Sequence, residues 1–320
     1  MDLQLTQRDF DEARTTIGEL VHRTPLLSSR SLSERTGLRV WLKAENLQKT
    51  GSFKVRGAFN KVLHLSPTER KRGIITASAG NHGQAVAYVS SHLSIPGYVV
   101  MPEGANPSKV RAVKEYGAKA ILQGELWDDA FARSMELAKE KDLVYVHPFK
   151  DRYIMAGQGT LGFEIVEDLP NLDAILIPIG GGGLISGIAM ALRLIKPGVR
   201  IIGVEPEGSA NMYGSRLLGM ATDLPRVTTF ADGLATRRTD PEVFQCIERA
   251  VDDLVTVTDE EIRQTIPTLL ERTKLLAEPA GAATVAALLT GKTSLPEKTR
   301  TVALVSGGNL DVTGSLRLAV

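Results

Sequence analysis

Four short segments of this 320-residue chain pair glycine with side chains able to act as nucleophile, base or anion ligand. The first reads Lys49-Thr50-Gly51-Ser52-Phe53-Lys54-Val55-Arg56-Gly57-Ala58. Gly51 and Ser52 turn the chain into a helix whose first turn holds Lys54, and a cation sits poorly at the positive end of a helix. A lysine whose pKa is depressed by desolvation or neighbouring charge becomes a nucleophile or a base. The ordinary alternative is a solvated surface charge.

The second segment, Thr76-Ala77-Ser78-Ala79-Gly80-Asn81-His82-Gly83-Gln84-Ala85, follows an apolar run and opens a helix. Ser78, Gly80, Asn81 and the unpaired N–H groups of a helix start make a nest suited to a carboxylate. The same residue types also make routine strand–helix turns. The third is the tetraglycine Gly180, Gly181, Gly182 and Gly183, between the apolar run 174–179 and a helix beginning near Leu184. A plain turn needs one or two glycines; four let several N–H groups close around a phosphate at a helix N-terminus. No Gly-Lys-Ser/Thr follows, so the P-loop pattern fails. The dinucleotide pattern half fits: Glu205 ends the next strand at a suitable distance, but the third glycine position falls on Ser186 or Ile185. A nicotinamide-dependent oxidoreductase therefore stands as a rival from another class.

Ser306-Gly307-Gly308-Asn309, after the apolar run 301–305, is the fourth segment. α/β proteins place ligand contacts at such strand ends. Ala231-Asp232-Gly233 and Glu278-Pro279-Ala280-Gly281 are further candidates, Glu278 because a carboxylate in an apolar stretch needs a partner or a raised pKa. His22, His64, His92 and His147 show no metal-ligand spacing, Cys246 falls on a helical stretch as a packed residue, and no Gly-x-Ser-x-Gly is present. Zinc and serine-triad catalysis are unsupported.

The elements that must position these residues follow from periodicity. Short β-branched runs at 40–44, 74–77, 97–101, 119–122, 174–179, 200–204, 253–257 and 301–305 alternate with amphipathic stretches such as 110–116, 128–141 and 184–195. That alternation predicts an α/β fold with mostly parallel sheets. Ser66-Pro67-Thr68-Glu69 and Thr258-Asp259-Glu260-Glu261 read as capped helix starts. No repeat, low-complexity segment or linker stands out. A 43% hydrophobic composition supports a large core, and a net charge of +1 gives no field favouring nucleic acid or an anionic membrane. One cysteine rules out an intramolecular disulfide framework and suits a reducing compartment. The start, MDLQLTQRDFDEA, lacks a signal-peptide pattern, and no apolar run is long enough to span a bilayer. A soluble cytoplasmic protein is expected.

From His22-Arg23-Thr24-Pro25-Leu26 to Ser306-Gly307-Gly308-Asn309, five segments in this order resemble the fold-type II pyridoxal-phosphate enzymes, in particular the threonine/serine dehydratase and serine racemase group. The resemblance implies a tryptophan-synthase-β-like fold: two open, twisted, mostly parallel sheets with helices on both faces. A small substrate domain, 50–146, would be inserted in a large cofactor domain, 1–49 and 147–320. It implies Lys54 as the Schiff-base lysine and Phe53 against the cofactor ring. Asn81 would bond the ring's 3-oxygen, Gly180 to Gly183 would hold the phosphate, Ser306 would face the pyridine nitrogen, and Glu278 would complete the cofactor site. Ser78, Asn81 and His82 would cradle the substrate carboxylate. A neutral serine at the pyridine nitrogen leaves it largely unprotonated; the weaker electron sink suits prompt loss of a β-leaving group.

The activity implied is dehydration and deamination of L-threonine, L-serine or both to a 2-oxo acid and ammonia. Lys54 would remove the α-proton, with the phosphate or Lys54 assisting the hydroxide. Ala79 stands where the racemases carry a serine base, so racemisation should be weak or absent. Glu205, the Ser209 carbonyl and Asn211 match a divalent-cation site with one carboxylate replaced by an amide, allowing Mg²⁺ or Ca²⁺; Glu205 as a simple cap is the alternative. The arginine that holds substrate in the racemases is missing around Asp128-Asp129-Ala130. Substrates such as hydroxyaspartate or a hydroxyectoine breakdown product, and a non-catalytic amino-acid sensor, remain alternatives. A homodimer or homotetramer is implied, and a C-terminal regulatory domain with isoleucine inhibition is not expected.

Overall fold

A computed structural model describes residues 3–311. The strands, in chain order, are β1 (Leu26–Ser28), β2 (Arg39–Ala44), β3 (Ile74–Ala77), β4 (Gly97–Met101), β5 (Lys119–Leu122), β6 (Val144–Tyr145), β7 (Ala174–Pro178), β8 (Arg200–Pro206), β9 (Asp253–Val257) and β10 (Arg300–Val305). They form a six-stranded sheet ordered β1-β2-β10-β7-β8-β9 and a four-stranded sheet ordered β5-β4-β3-β6. β1 pairs antiparallel with β2, and every other named pairing is parallel. The smaller sheet takes all its strands from between β2 and β7, so the chain leaves the larger sheet after Ala44 and returns to it at Ala174.

Parallel strands covered on both faces read as continuous apolar runs, and β3 and β7 are buried at every position. Successive side chains alternate between faces. Ile175, Ile177, Val302 and Leu304 face a core with the helices Gln7–Ile17, Arg152–Asp168, Gly183–Ile195 and Pro241–Ala250. Leu176, Ile202, Ala303 and Val305 face another with Arg30–Thr36, Asp259–Thr273 and Pro279–Leu289. The smaller sheet is sandwiched likewise: Ile74 packs with Lys54–Leu63 and Asn81–His92, while Ile75 and Val100 meet Trp127–Glu140. Helices thus cover both faces of both sheets, as the α/β reading requires.

The two capping boxes form as read, Ser66 with Glu69 and Thr258 with Glu261. The helix expected over 110–116 starts earlier, at Pro107, because the Asn106 side chain accepts the Ser108 N–H and a proline suits the first helical position. β1 and β6 have three and two residues, too few to display any period. Among the described residues no helix is long and apolar enough to cross a membrane.

Candidate active site

The carboxyl ends of β2, β7, β8 and β10 share one edge of the larger sheet, and the loops that follow carry the candidate residues. After β2 a short 3-10 turn, Lys49–Gly51, bends sharply: Thr50 has φ 61° and Gly51 φ 69°. Residues 51–53 then run antiparallel to the segment after β10. The Phe53 N–H donates to the Ser306 carbonyl (3.1 Å), the Gly308 N–H to the Gly51 carbonyl (2.9 Å), and Ser52 bridges Gly307. Two segments 255 residues apart in sequence, Ser52 and Gly307 at their centre, are one local structure.

Lys54 opens the helix Lys54–Leu63, as expected. Its Nζ donates to the Pro148 carbonyl at 3.0 Å and lies 5.1 Å from the centre of the Phe53 ring. Desolvation pushes its pKa down to about 8, the negative charge of Glu278 pulling weakly the other way. Two imidazoles stand close by. The His82 ring donates from Nε2 to the Val146 carbonyl (3.0 Å), and burial pushes its pKa down to about 3. His147 accepts the N–H groups of Phe149 (3.2 Å) and Lys150 (2.8 Å) on Nδ1, and burial pushes it down to about 4. Both rings are neutral at physiological pH. His147, whose spacing suits no metal site, is half-buried beside this cluster and hydrogen-bonded through Nδ1.

The tetraglycine leads from β7 into the helix Gly183–Ile195, with Gly182 at φ 86° as a cap that offers no side chain. The first-turn N–H groups of Gly183, Leu184 and Ile185 have no intrahelical acceptor, so they form a ready anion site. A Cβ at Gly181 would lie 2.1 Å from the Phe149 ring, and one at Gly183 2.8 Å from the Phe149 Cα. The dipeptide Pro148-Phe149 therefore joins the two features, its first carbonyl holding the lysine amine and its second residue resting on the glycines. Sequence reasoning missed this dipeptide, since β6, which delivers it, is two residues long.

The nest after β3 begins with the Gly80 N–H donating to Ser78 Oγ at 3.2 Å, and Gly80 caps the helix Asn81–His92 without a side chain. Asn81 Nδ2 donates to Glu278 Oε1 at 2.5 Å, while Asn309 Nδ2 donates both to Asn81 Oδ1 (2.8 Å) and to the Thr50 carbonyl (2.8 Å). Glu278 is buried; desolvation, then the charge of Asp232, pushes its pKa up to about 7. Ser306 is buried and its hydroxyl makes a long hydrogen bond, 3.4 Å, to the Ala280 carbonyl. Lys54, Asn81, Glu278 and Ser306 are thus gathered, with a free helix N-terminus on either side. The donor set suits an aldehyde cofactor with a phosphate tail: a partly neutral amine, an amide, a hydroxyl and a glycine cradle that any Cβ would fill.

Glu205, Ser209 and Asn211 also lie together and buried. The Glu205 carboxylate accepts the N–H groups of Met212 (3.0 Å) and Tyr213 (2.7 Å), and burial raises its pKa to about 8. That orientation makes Glu205 a cap for the helix Asn211–Leu218 and withholds it from a ribose, which counts against the dinucleotide reading. Asn211 Nδ2 bonds the Arg238 carbonyl and Thr239, but its Oδ1 is buried without a partner. Among the described residues no three His, Cys, Asp or Glu side chains cluster as a metal site.

Other contacts escaped the sequence altogether. Asp128, where the racemases' arginine is lacking, pairs with Arg237 (3.1 Å) and Arg238 (3.4 Å), and Lys109 pairs with Asp232. Behind Lys54, the fully buried Arg56 holds Glu45 at 2.8 Å and Glu164 at 2.6 Å, and Lys43 joins Glu164 at 2.6 Å. A cleft of about 440 Å³ beyond Arg56, lined by Asp11, Arg14, Arg23 and Glu164, contains no side chain of the Lys54 cluster.

Residues 17–307 match the family described as "Pyridoxal-phosphate dependent enzyme". The chain is 46% identical to an L-threonine ammonia-lyase of Thermotoga maritima over 309 residues, covering 96% of this chain and 76% of that one. It is 44% identical to the L-threonine dehydratase catabolic TdcB of Staphylococcus aureus, covering 95% and 89%. Among solved structures, maize serine racemase superposes with a TM-score of 0.94 at 35% identity, covering 98% of this chain and 97% of that one.

Proposed function

This chain belongs to the pyridoxal-phosphate dependent enzyme family, and on that premise we propose that it converts L-threonine, L-serine or both to a 2-oxo acid and ammonia by loss of the β-hydroxyl. The observation that carries the reading is the Lys54 amine, desolvated to a pKa of about 8 and held by the Pro148 carbonyl beside the Gly180 to Gly183 loop. When bound, pyridoxal phosphate supplies the electron sink for the charge left at the substrate Cα. Lys54 is the attachment point, and its neutral form takes the α-proton. The proton so gained is available to the departing hydroxyl.

The remaining roles fall to donors already aligned. Gly180, Gly181, Gly182 and Gly183 hold the phosphate through backbone N–H groups. Asn81 would donate to the ring oxygen, and Phe53, beside the lysine amine, would flank the ring. Ser306 meets the pyridine nitrogen as a neutral partner, and buried Glu278 takes the second side of the Asn81 amide. The N–H groups opening the helix Asn81–His92, the backbone N–H of Asn81 among them, would receive the substrate carboxylate together with Ser78. His82, locked to the Val146 carbonyl, shapes that nest from behind rather than carrying a charge. The segment 50–146 serves as a small domain closing over a large one built from 1–49 and 147–320, a division supported by the membership of the two sheets. The orphaned Asn211 Oδ1 favours a weak Mg²⁺ or Ca²⁺ site with Glu205 and the Ser209 carbonyl, while the Glu205 carboxylate, taken up by the Met212 and Tyr213 N–H groups, weighs against it. A soluble, cytoplasmic homodimer or homotetramer is the accompanying assembly.

The test uses purified protein. A visible absorption band should be abolished by borohydride, with the reduced label on Lys54 and none in Lys54→Ala. Labelling of cofactor-depleted protein should rise with pH through about 8, as the amine loses its proton. A panel of L-threonine, L-serine, D-serine and hydroxyaspartate, run with and without Mg²⁺, should release ammonia and 2-oxo acid fastest from the first two. Label elsewhere, or a nucleotide in the cleft, overturns the reading.

A further inference from the structure

We propose that Asn309 is a positioning residue that dictates which way the Asn81 amide faces, and through it the donor offered to the cofactor ring. The inference rests on the role given to Asn81 above and extends it to a residue that acts only through another.

An asparagine side chain has a donor end and an acceptor end of nearly the same shape, so its orientation must come from its partners. The Thr50 carbonyl can only accept. The Asn309 atom 2.8 Å away is therefore its amide nitrogen. That same nitrogen lies 2.8 Å from Asn81, so the Asn81 atom facing it is the oxygen. The Asn81 nitrogen is left pointing the opposite way, at Glu278 Oε1, 2.5 Å distant. A single backbone carbonyl thus fixes three polar groups in series.

The loop is built around this reading head. Thr50, a β-branched residue, holds the left-handed φ of 61°, a conformation that such residues adopt at a cost. At Gly51, φ 69°, a Cβ would come within 2.4 Å of Asn309 Oδ1. The Gly308 N–H clamps the Gly51 carbonyl, so the backbone on both sides of the Thr50–Asn309 contact is held. The strained threonine and the glycine make the bend that leads to Lys54, and the same bend aims the Thr50 carbonyl. Together they bring a carbonyl to the one place where it orients Asn309.

The discriminating variant is Asn309→Asp in the cofactor-loaded enzyme. Its carboxylate sets an acceptor against the Asn81 oxygen, so the Asn81 amide turns round and its oxygen faces Glu278 and the ring. The pH at which the visible band of the bound cofactor changes should rise by about one unit, and kcat should fall about tenfold to hundredfold with KM altered less. Asn309→Ala, which removes the donor without reversing it, should give an intermediate spectrum. In an Asn81→Ala background neither substitution should move the band further. An unchanged band in Asn309→Asp, or an undiminished effect in the Asn81→Ala background, overturns the proposal. Should the aspartate variant not fold, Asn309→Ala against Asn81→Ala makes the same comparison. Lys54 that takes no label refutes the site as a whole, whereas labelled Lys54 with an unmoved band refutes Asn309 alone.

Discussion

Ala79 sits between Ser78 and the capping Gly80, where the chain turns from β3 into the helix Asn81–His92. A methyl group there cannot carry a proton, which leaves Lys54 as the base in the reaction proposed above. Ala79→Ser would supply the hydroxyl that the racemases carry, at a position whose methyl now packs against the cluster of Ala87, Val99 and Met101. It should produce D-serine from L-serine, measured by chiral chromatography, while elimination stays within about tenfold of the parent. Absence of D-serine would count against Ala79 as the reason that racemisation is lacking. Other residues were harder to foresee. A lysine at a helix start, a tetraglycine and a serine after a buried strand each deviate from routine chemistry, and those deviations are legible. His147 and Asn309 do not deviate: a histidine and an asparagine suit many loops, and their roles depend on a carbonyl or an N–H supplied by a distant segment.

At the level of the element, β3, β4, β5 and β9 stand at the positions that their apolar runs predict. Buried parallel strands write themselves as uninterrupted Val/Ile/Leu stretches. β1 and β6 escaped because three and two residues carry no pattern. The glycine loop offers a test at the same scale. A Cβ at Gly181 meets the ring of Phe149, which can swing aside; a Cβ at Gly183 meets the Phe149 backbone at 2.8–2.9 Å, which cannot. Gly181→Ala should therefore weaken pyridoxal phosphate binding while nearly preserving the thermal midpoint. Gly183→Ala should weaken binding and also cost about 1–3 kcal/mol of stability. Absorbance titration and thermal unfolding separate the two, and identical behaviour would mean that Phe149 is not the neighbour that matters.

Across the whole molecule, the least legible feature is the charge network of buried Arg56, Glu45 and Lys43 with half-buried Glu164. Nothing in the sequence pattern joins these four; they meet where β2 and the turn after it come against the packed helices Lys54–Leu63 and Arg152–Asp168. The Arg56 guanidinium also donates to Thr160 (3.3 Å) and to the His22 carbonyl (3.1 Å), tying three chain regions behind the lysine. Removing one partner strands the others in a low dielectric. Arg56→Met should cost about 3–5 kcal/mol by chemical denaturation. A loss under about 1 kcal/mol would mean that water reaches the acids and screens them.

The pairing of β2 with β10, Arg39 to Ala44 alongside Arg300 to Val305, has a consequence for how the chain is made. The early strand finds its central neighbour only when residue 305 has been synthesised, whereas β3 to β6 are complete by residue 145. On a ribosome the smaller sheet can therefore assemble first, while the free hydrogen-bonding edge of β2 awaits its partner. A nascent chain arrested short of β10 leaves that edge open, a substrate for chaperones and a seed for aggregation.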